Sequence, residues 1–429
     1  MKKILALVLV LVMVMALGAC NIEKQGEDVE LTLWTYPIGG WGDQATVDAL
    51  IASFEEANPG IKVKVEYLDY TNGDDKVNTA IEGNAAPDLI MEGPERLVAN
   101  WGAKGLMVDL SDMIDATDKA EINAAALKAC YTADGSKCYE YPLVMTAHCM
   151  AINKNVFEAA GAMEHINVEA HTWKSVEDFF AAVEKVRVYT NKAVGAVCCA
   201  GQGGDQATRA LVTNLKGGTF TNAAHTEYTW NSAENIAALQ ALVDCEGISF
   251  DASLVGGTEI TEFYNGNLNM AFCWNIAQQL NPNSANTGAE KTANGDEILF
   301  LAFPSDNTPA LQGGIWGFGI FNNGDDAKVE AAKKFIKYMC DSSATAEAVK
   351  AANYFAVRDK AEGTDLSGIW ADNAVMKEYN KLMPMLGDYY QVTTNWASAR
   401  TAWWNMLQAV GAGEDIATAI ETWIAQIGK

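Results

Sequence analysis

The chain is short of base. Lysine and arginine total 30 against 55 acidic residues, a formal net charge of −25, and four histidines stand in 429 residues. Such a balance opposes attachment to phosphate backbones and to anionic lipid heads, so no nucleic-acid partner is expected. There is no CxxC pair, no HExxH and no Cys/His cluster, and no metal site or cofactor is expected from spacing. GxSxG and P-loop patterns are missing too, and paired carboxylates such as Glu55-Glu56 fall on an ordinary acidic helix. No long apolar run follows residue 17, and no internal repeat is visible.

What is present begins at the amino terminus. Lys2 and Lys3, an apolar run from Ile4 to Leu17, and small residues before a cysteine have the order of an export signal. At about fourteen residues the run is shorter than the ~20 that span a bilayer as a helix. Leu17-Gly18-Ala19-Cys20 resembles the bacterial lipobox, which implies cleavage after residue 19 and lipidation of Cys20. Two or more acyl chains give a stable anchor, each buried CH2 contributing about 0.8 kcal/mol. Loss of Lys2 and Lys3 moves the formal charge from −25 to about −27. The roughly 410 residues that remain suit two or three domains.

Eight further cysteines are scattered through the chain. Cys130 and Cys138 bracket the turn Ala133-Asp134-Gly135-Ser136, which allows a disulfide across a hairpin; the others read as small buried apolar residues.

After a polar tether, Val29 to Trp34 alternates as a strand. Val47, Leu50, Ile51 and Phe54 follow helical spacing, and Asn58-Pro59-Gly60 stops that helix. Ile61, Val63, Val65 and Tyr67 form a second strand, and Asp88 to Met91 a third, so the rhythm predicts a parallel α/β sheet. Tyr139 to Asn153 reads as strand, Thr172-Trp173 opens a helix-rich second lobe, and Ile298 to Phe303 reads as a strand returning to the first. Ala327 to Met339 reads as a helix packed on that lobe. The last helices set Trp403, Leu407 and Val410, then Ile416, Ile420 and Trp423, on apolar faces.

Several segments, in order, carry a family likeness: Leu31-Thr32-Leu33-Trp34, Phe54-Glu55-Glu56-Ala57-Asn58-Pro59-Gly60-Ile61-Lys62-Val63, Ala86-Pro87-Asp88-Leu89-Ile90 and Ala151-Ile152-Asn153-Lys154. Thr172-Trp173, Phe263-Tyr264-Asn265-Gly266, Gly313-Gly314 with Trp316, and Trp396 with Arg400 continue it. The chain resembles the extracellular sugar-binding lipoproteins of ABC transporters, the maltose-binding-like branch of the type II periplasmic-binding fold. The resemblance implies two α/β lobes joined by crossover segments, a carbohydrate caught in the cleft by hinge closure, and delivery to permease subunits. Carried over, residues 1–19 are a signal peptide and 20–28 a lipidated tether. Residues 29–150 and 304–345 form the first lobe, 154–300 and 357–429 the second, with hinge segments near 150–154, 300–304 and 345–357. A monomer, lipid-anchored at the extracytoplasmic face of a bacterial membrane, is expected, with no enzymatic activity.

Sugars offer flat C–H faces to aromatic rings and hydroxyls to carboxylates, amides and guanidinium groups. Trp34, Tyr36 and Trp41 follow the first strand, where open α/β sheets place ligands. The loop after Asp88 supplies Glu92, Glu95 and Arg96, while Asp88 itself is expected to order its loop. Thr146 and His148 precede the first crossover, Trp274 and Asn275 end a strand, and Trp316, Trp396 and Arg400 complete the expected contacts. Two other solutes fit the same fold: a polyamine at Glu92 and Glu95, or ferric ion at Tyr389-Tyr390. A nucleotide-dependent enzyme enters only through Gly40-Trp41-Gly42-Asp43-Gln44-Ala45, a GxGxxA match with Trp41 inside its turn.

Overall fold

The computed structural model describes residues 28–70, 72–201, 205–276, 291–388, 392–393 and 395–428. The export signal, Cys20, nearly all of the tether and Tyr389-Tyr390 lie outside the described residues.

Strand β1 (Val29–Thr35) buries Leu31, Leu33 and Thr35 on one face, as its alternation requires. Helix α1 (Gln44–Ala57) starts on Asp43, whose carboxylate accepts the Thr46 N–H at 2.9 Å, and buries Val47, Leu50, Ile51 and Phe54. Each such side chain contributes about 1.5 to 3 kcal/mol. Gly60, at φ +94°, reverses the chain into β2 (Ile61–Tyr67), which runs parallel to β1 with Leu31 opposite Val63. Helix α2 (Gly73–Glu82) leads to β3 (Leu89–Glu92), buried throughout and parallel to β1 on its other side. Asp88 fastens this junction, as expected: it accepts from the Thr32 backbone at 2.8 Å and pairs with Lys328 at 2.9 Å.

The strand-like run from Tyr139 to Asn153 is two strands in two different sheets. β4 (Tyr141–Ala147) joins the first sheet and β5 (Cys149–Asn153) the second, so the chain passes between the sheets at His148, just before the segment expected near 150–154. The second layer continues with β6 (Gly195–Cys198), helix α3 (Asp205–Lys216), β7 (Ile248–Asp251), helix α4 (Gly256–Tyr264) and β8 (Met270–Trp274); β8 joins β5, whereas β6 and β7 form a two-stranded sheet of their own. β9 (Ile298–Leu301) flanks β5 opposite β8, both antiparallel to it. It therefore closes the second sheet instead of returning to the first. The parallel pair β6 and β7 abuts β8, Met270 N–H donating to the Val194 carbonyl at 2.9 Å.

The chain returns with β10 (Gly313–Ile320), inserted antiparallel between β3 and β4. The first sheet is therefore mixed, not parallel. Helix α5 (Asp326–Cys340) sets Phe335 against Phe54 and Phe318, with ring centroids 5.0 Å and 5.4 Å apart. Helix α6 (Thr345–Ala352) packs on α1 and β4, and β11 (Phe355–Ala356) pairs with β4, giving the order β11-β4-β10-β3-β1-β2. Residues 345–356 thus belong to the first sheet's layer, because Ala348, Val349 and Ala352 are apolar and buried there. Helices α7 (Trp396–Gly411) and α8 (Ile416–Ile424) pack on each other, and α7 lies against β7 of the second layer.

Cys130 and Cys138 are buried free thiols, not a bridge: one donates to the Ala126 carbonyl at 3.3 Å, the other to Glu140 at 3.2 Å. No helix among the described residues is long and apolar enough to cross a membrane.

Candidate functional site

The carboxyl ends of β1 and β3 and the first turn of α2 converge on one guanidinium. Arg96 donates to Asp74 through Nε and to Glu92 through Nη1, both at 2.7 Å, with Glu95 at 3.8 Å. Its planar head lies 5.0 Å over the ring of Tyr36, and Tyr36 stacks on Tyr70 at 5.2 Å. The Tyr36 hydroxyl donates to Asp74. Gly73 makes this possible, since a Cβ there would stand 2.7 Å from the Tyr36 ring. Burial raises the Glu92 carboxyl to about 8 despite the pull of Arg96, and its Oε2 has no hydrogen-bond partner. After Arg96 the chain widens into a π-helical turn, Leu97–Gly102, which turns Ala99 and Asn100 toward the same space.

The facing wall comes from two helices of the other layer. Asp205 opens α3 and Arg209 follows four residues later, so both lie on one helical face, paired at 2.6 Å and fully buried. On α7, Trp396 and Arg400 have the same spacing. Arg400 donates to both oxygens of Asp205, at 2.9 and 3.2 Å, and Arg209 lies 4.4 Å from the centre of the Trp396 ring. Trp403, a turn further on, donates to Thr208 at 2.9 Å and locks the two helices in register. The two arginines hold Asp205 far below the usual carboxylate range, outweighing its burial.

Between these walls lies a cavity of about 250 Å3 lined by Asp74, Glu95, Arg96, Asn100 and Lys104 on one side and by Asn395, Trp396 and Arg400 on the other. A larger hollow, of about 550 Å3, opens beside Lys128, Tyr131 and His225. The smaller one carries the convergent charged pairs and a fixed indole, the combination that orients a polar ligand.

Among the expected contacts, Glu95, Arg96, Trp396 and Arg400 line the cavity, and Tyr36 and Glu92 hold Arg96 from behind. His148 sits at the crossing under the influence of Asp205 and Arg209, and Trp316 stacks on Tyr354 at 4.7 Å. Asn275 is half-buried, directly after β8. Four expectations are corrected. Trp41 is core, its Nε1 donating to Ala348 at 3.0 Å. Trp34 lies on the side of β1 that faces α2, with Lys76 5.3 Å over its ring. Trp274 is fully buried against Phe263 and Tyr264, and Thr146 is enclosed within β4. The glycines of the GxGxxA match serve packing: a Cβ at Gly40 would meet the Ala351 carbonyl at 2.7 Å, which leaves that turn filled by α6. Sequence reading missed Asp74, Tyr70, Asp205 and Arg209; only the four-residue spacing of the last two was legible beforehand.

The model of the bacterial extracellular solute-binding protein family matches residues 49–378. The chain belongs to this family. No curated protein sequence matches it. Among solved structures it is similar to an ABC substrate-binding protein of Listeria monocytogenes in complex with cycloalternan, at 22% identity and a TM-score of 0.68, covering 94% of this chain and 98% of that one. The GacH receptor of Streptomyces glaucescens, solved unliganded and with acarbose, matches at 19% identity and a TM-score of 0.67, covering 92% and 97%. The maltose/maltodextrin-binding domain of Bdellovibrio bacteriovorus, bound to maltotriose, matches at 17% identity and a TM-score of 0.65, covering 93% and 99%. These likenesses identify the type II periplasmic-binding fold. Membership of this family makes the protein an extracellular solute-binding protein.

Proposed function

We propose that this solute-binding protein captures a carbohydrate, an oligosaccharide, in the cavity between its two lobes and presents the closed complex to a permease. The observation that carries the reading is the cavity wall itself. The Trp396 ring, braced by Arg209, offers a flat apolar face, while Arg96, Arg400, Glu95 and Asn100 offer hydroxyl partners from opposite sides. A ligand touching both walls stabilises the closed form by the contacts that only that form makes. Asp74 with Arg96 and Asp205 with Arg400 are tied into pairs before any ligand arrives, which suits a neutral polyhydroxylated solute. The ligands bound by the three structural relatives, cycloalternan, acarbose and maltotriose, support the same class. The protein acts as a monomer held to the outer face of the membrane by lipid on Cys20, with residues 21–28 as its tether.

Intrinsic tryptophan fluorescence, titrated with mono- and oligosaccharides, polyamines, Fe3+ and NAD, tests this. A saturable response to an oligosaccharide is expected. A response confined to polyamines would reassign the cavity to its Asp74, Glu92 and Glu95 carboxylates, and one confined to iron or NAD would overturn the reading.

A further inference from the structure

Where β6 abuts β8, three side chains far apart in sequence meet. Cys198 ends β6, Cys273 lies in β8 and Glu259 sits on α4, and all three are buried. The two sulfurs are 3.6 Å apart, and one ligand atom from each of the three residues lies within 4.8 Å of the others. Thiolates held at about 2.3 Å from a tetrahedral zinc ion stand roughly 3.8 Å from one another, so the pair already has a metal-binding spacing. The carboxylate is held in place as ligating carboxylates usually are. The register shift in β8 between Ala271 and Trp274 turns two successive amides out of the ladder. The Phe272 N–H then donates to Glu259 Oε1 at 2.6 Å and the Cys273 N–H to Oε2 at 2.8 Å.

The geometry points to a binding site for a thiophilic divalent cation of the zinc class, with Cys198 Sγ, Cys273 Sγ and Glu259 as ligands and a fourth position open. On binding, the two S–H bonds break, their protons leave to water, and two metal–sulfur bonds form; no electron is transferred. With β6, β8 and α4 tied at one point, the ion fixes the strand end on which Trp274 and Asn275 are carried. The inference is independent of which solute occupies the cavity.

Titration of the reduced, full-length protein with Co2+ alone is expected to give thiolate-to-metal charge-transfer absorption that saturates at one equivalent and is displaced by Zn2+. Cys198→Ser and Cys273→Ser should each abolish the band, and Glu259→Gln should weaken binding at least about tenfold. Cys199→Ser, whose thiol donates instead to the Val197 carbonyl, should leave the band intact. Absence of the band in the reduced wild type, or its persistence in the Cys198→Ser/Cys273→Ser double variant, overturns the assignment. So does peptide mapping of the native protein that finds Cys198 and Cys273 joined as a disulfide.

Discussion

A tryptophan braced by a guanidinium differs physically from one walled in by other rings. Trp396 borders the cavity with Arg209 over its face, whereas Trp274 is enclosed by Phe263 and Tyr264. Trp396→Ala is therefore expected to weaken carbohydrate binding by about 1 to 3 kcal/mol while the fold persists. Trp274→Ala should instead destabilise the protein by about 3 to 5 kcal/mol through the void it leaves. Isothermal titration and urea unfolding of both variants check the contrast; equal affinity in Trp396→Ala removes that ring from the site. His148 carries a pH consequence. Burial, opposed by Asp205 and reinforced by Arg209, pushes its imidazole down to about 4. Between that value and the unfolded value of about 6.5 the unfolded chain binds more protons. This contribution to stability is thus complete above about pH 6.5 and is lost as pH falls toward 4. Melting temperature followed over that interval should fall less steeply in His148→Gln than in the wild type.

At the level of elements, backbone approach decides what a glycine-rich turn does. Gly39 has φ +54°, and a Cβ there would stand 2.0 Å from the Ala352 carbonyl, so the turn before α1 and the end of α6 touch through bare backbone. Gly39→Ala is expected to cost at least about 2 kcal/mol, by backbone strain and by displacing α6. Unfolding midpoints unchanged from the wild type would refute that contact. The α3 and α7 faces show what was legible beforehand. The spacings Asp205 to Arg209 and Trp396 to Arg400 put each pair on one side of its helix whatever the tertiary structure. Which face meets which was not legible, because the Arg400 to Asp205 bond spans 195 residues. Tyr70 and Asp74 were hidden for the same reason: a tyrosine in a polar connection and an aspartate in the first turn of a polar helix carry no apolar periodic signal, and only Arg96 gives them a role.

For the whole molecule, the two walls have complementary charge. One holds Asp74, Glu92 and Glu95 around Arg96, the other Arg209 and Arg400 around Asp205. Across the cavity Arg400 feels Glu95 favourably and Arg96 unfavourably. Lys128 adds a contact by pairing at 2.6 Å with Asp388, which accepts from His225 as well. The proposed lipid anchor at Cys20 and the proposed capture of carbohydrate can be tested separately. Cys20→Ser is expected to release a protein that still binds carbohydrate into the medium, measured by fractionation and titration; retention in the membrane would refute lipidation at Cys20.

Periodicity and turn chemistry determined the alternating strands, the capped helices and the order of segments that marks a two-lobed solute-binding protein, since these depend on neighbours within a few residues. The tertiary structure alone decided that β10 runs antiparallel through the first sheet, that the chain crosses at His148, and which rings are core. Trp41 and Trp274 have the composition of ligand contacts, but burial depends on what the rest of the chain lays over them. The same holds for Cys198, Glu259 and Cys273: their meeting is a property of strand register, and no spacing along the chain encodes it.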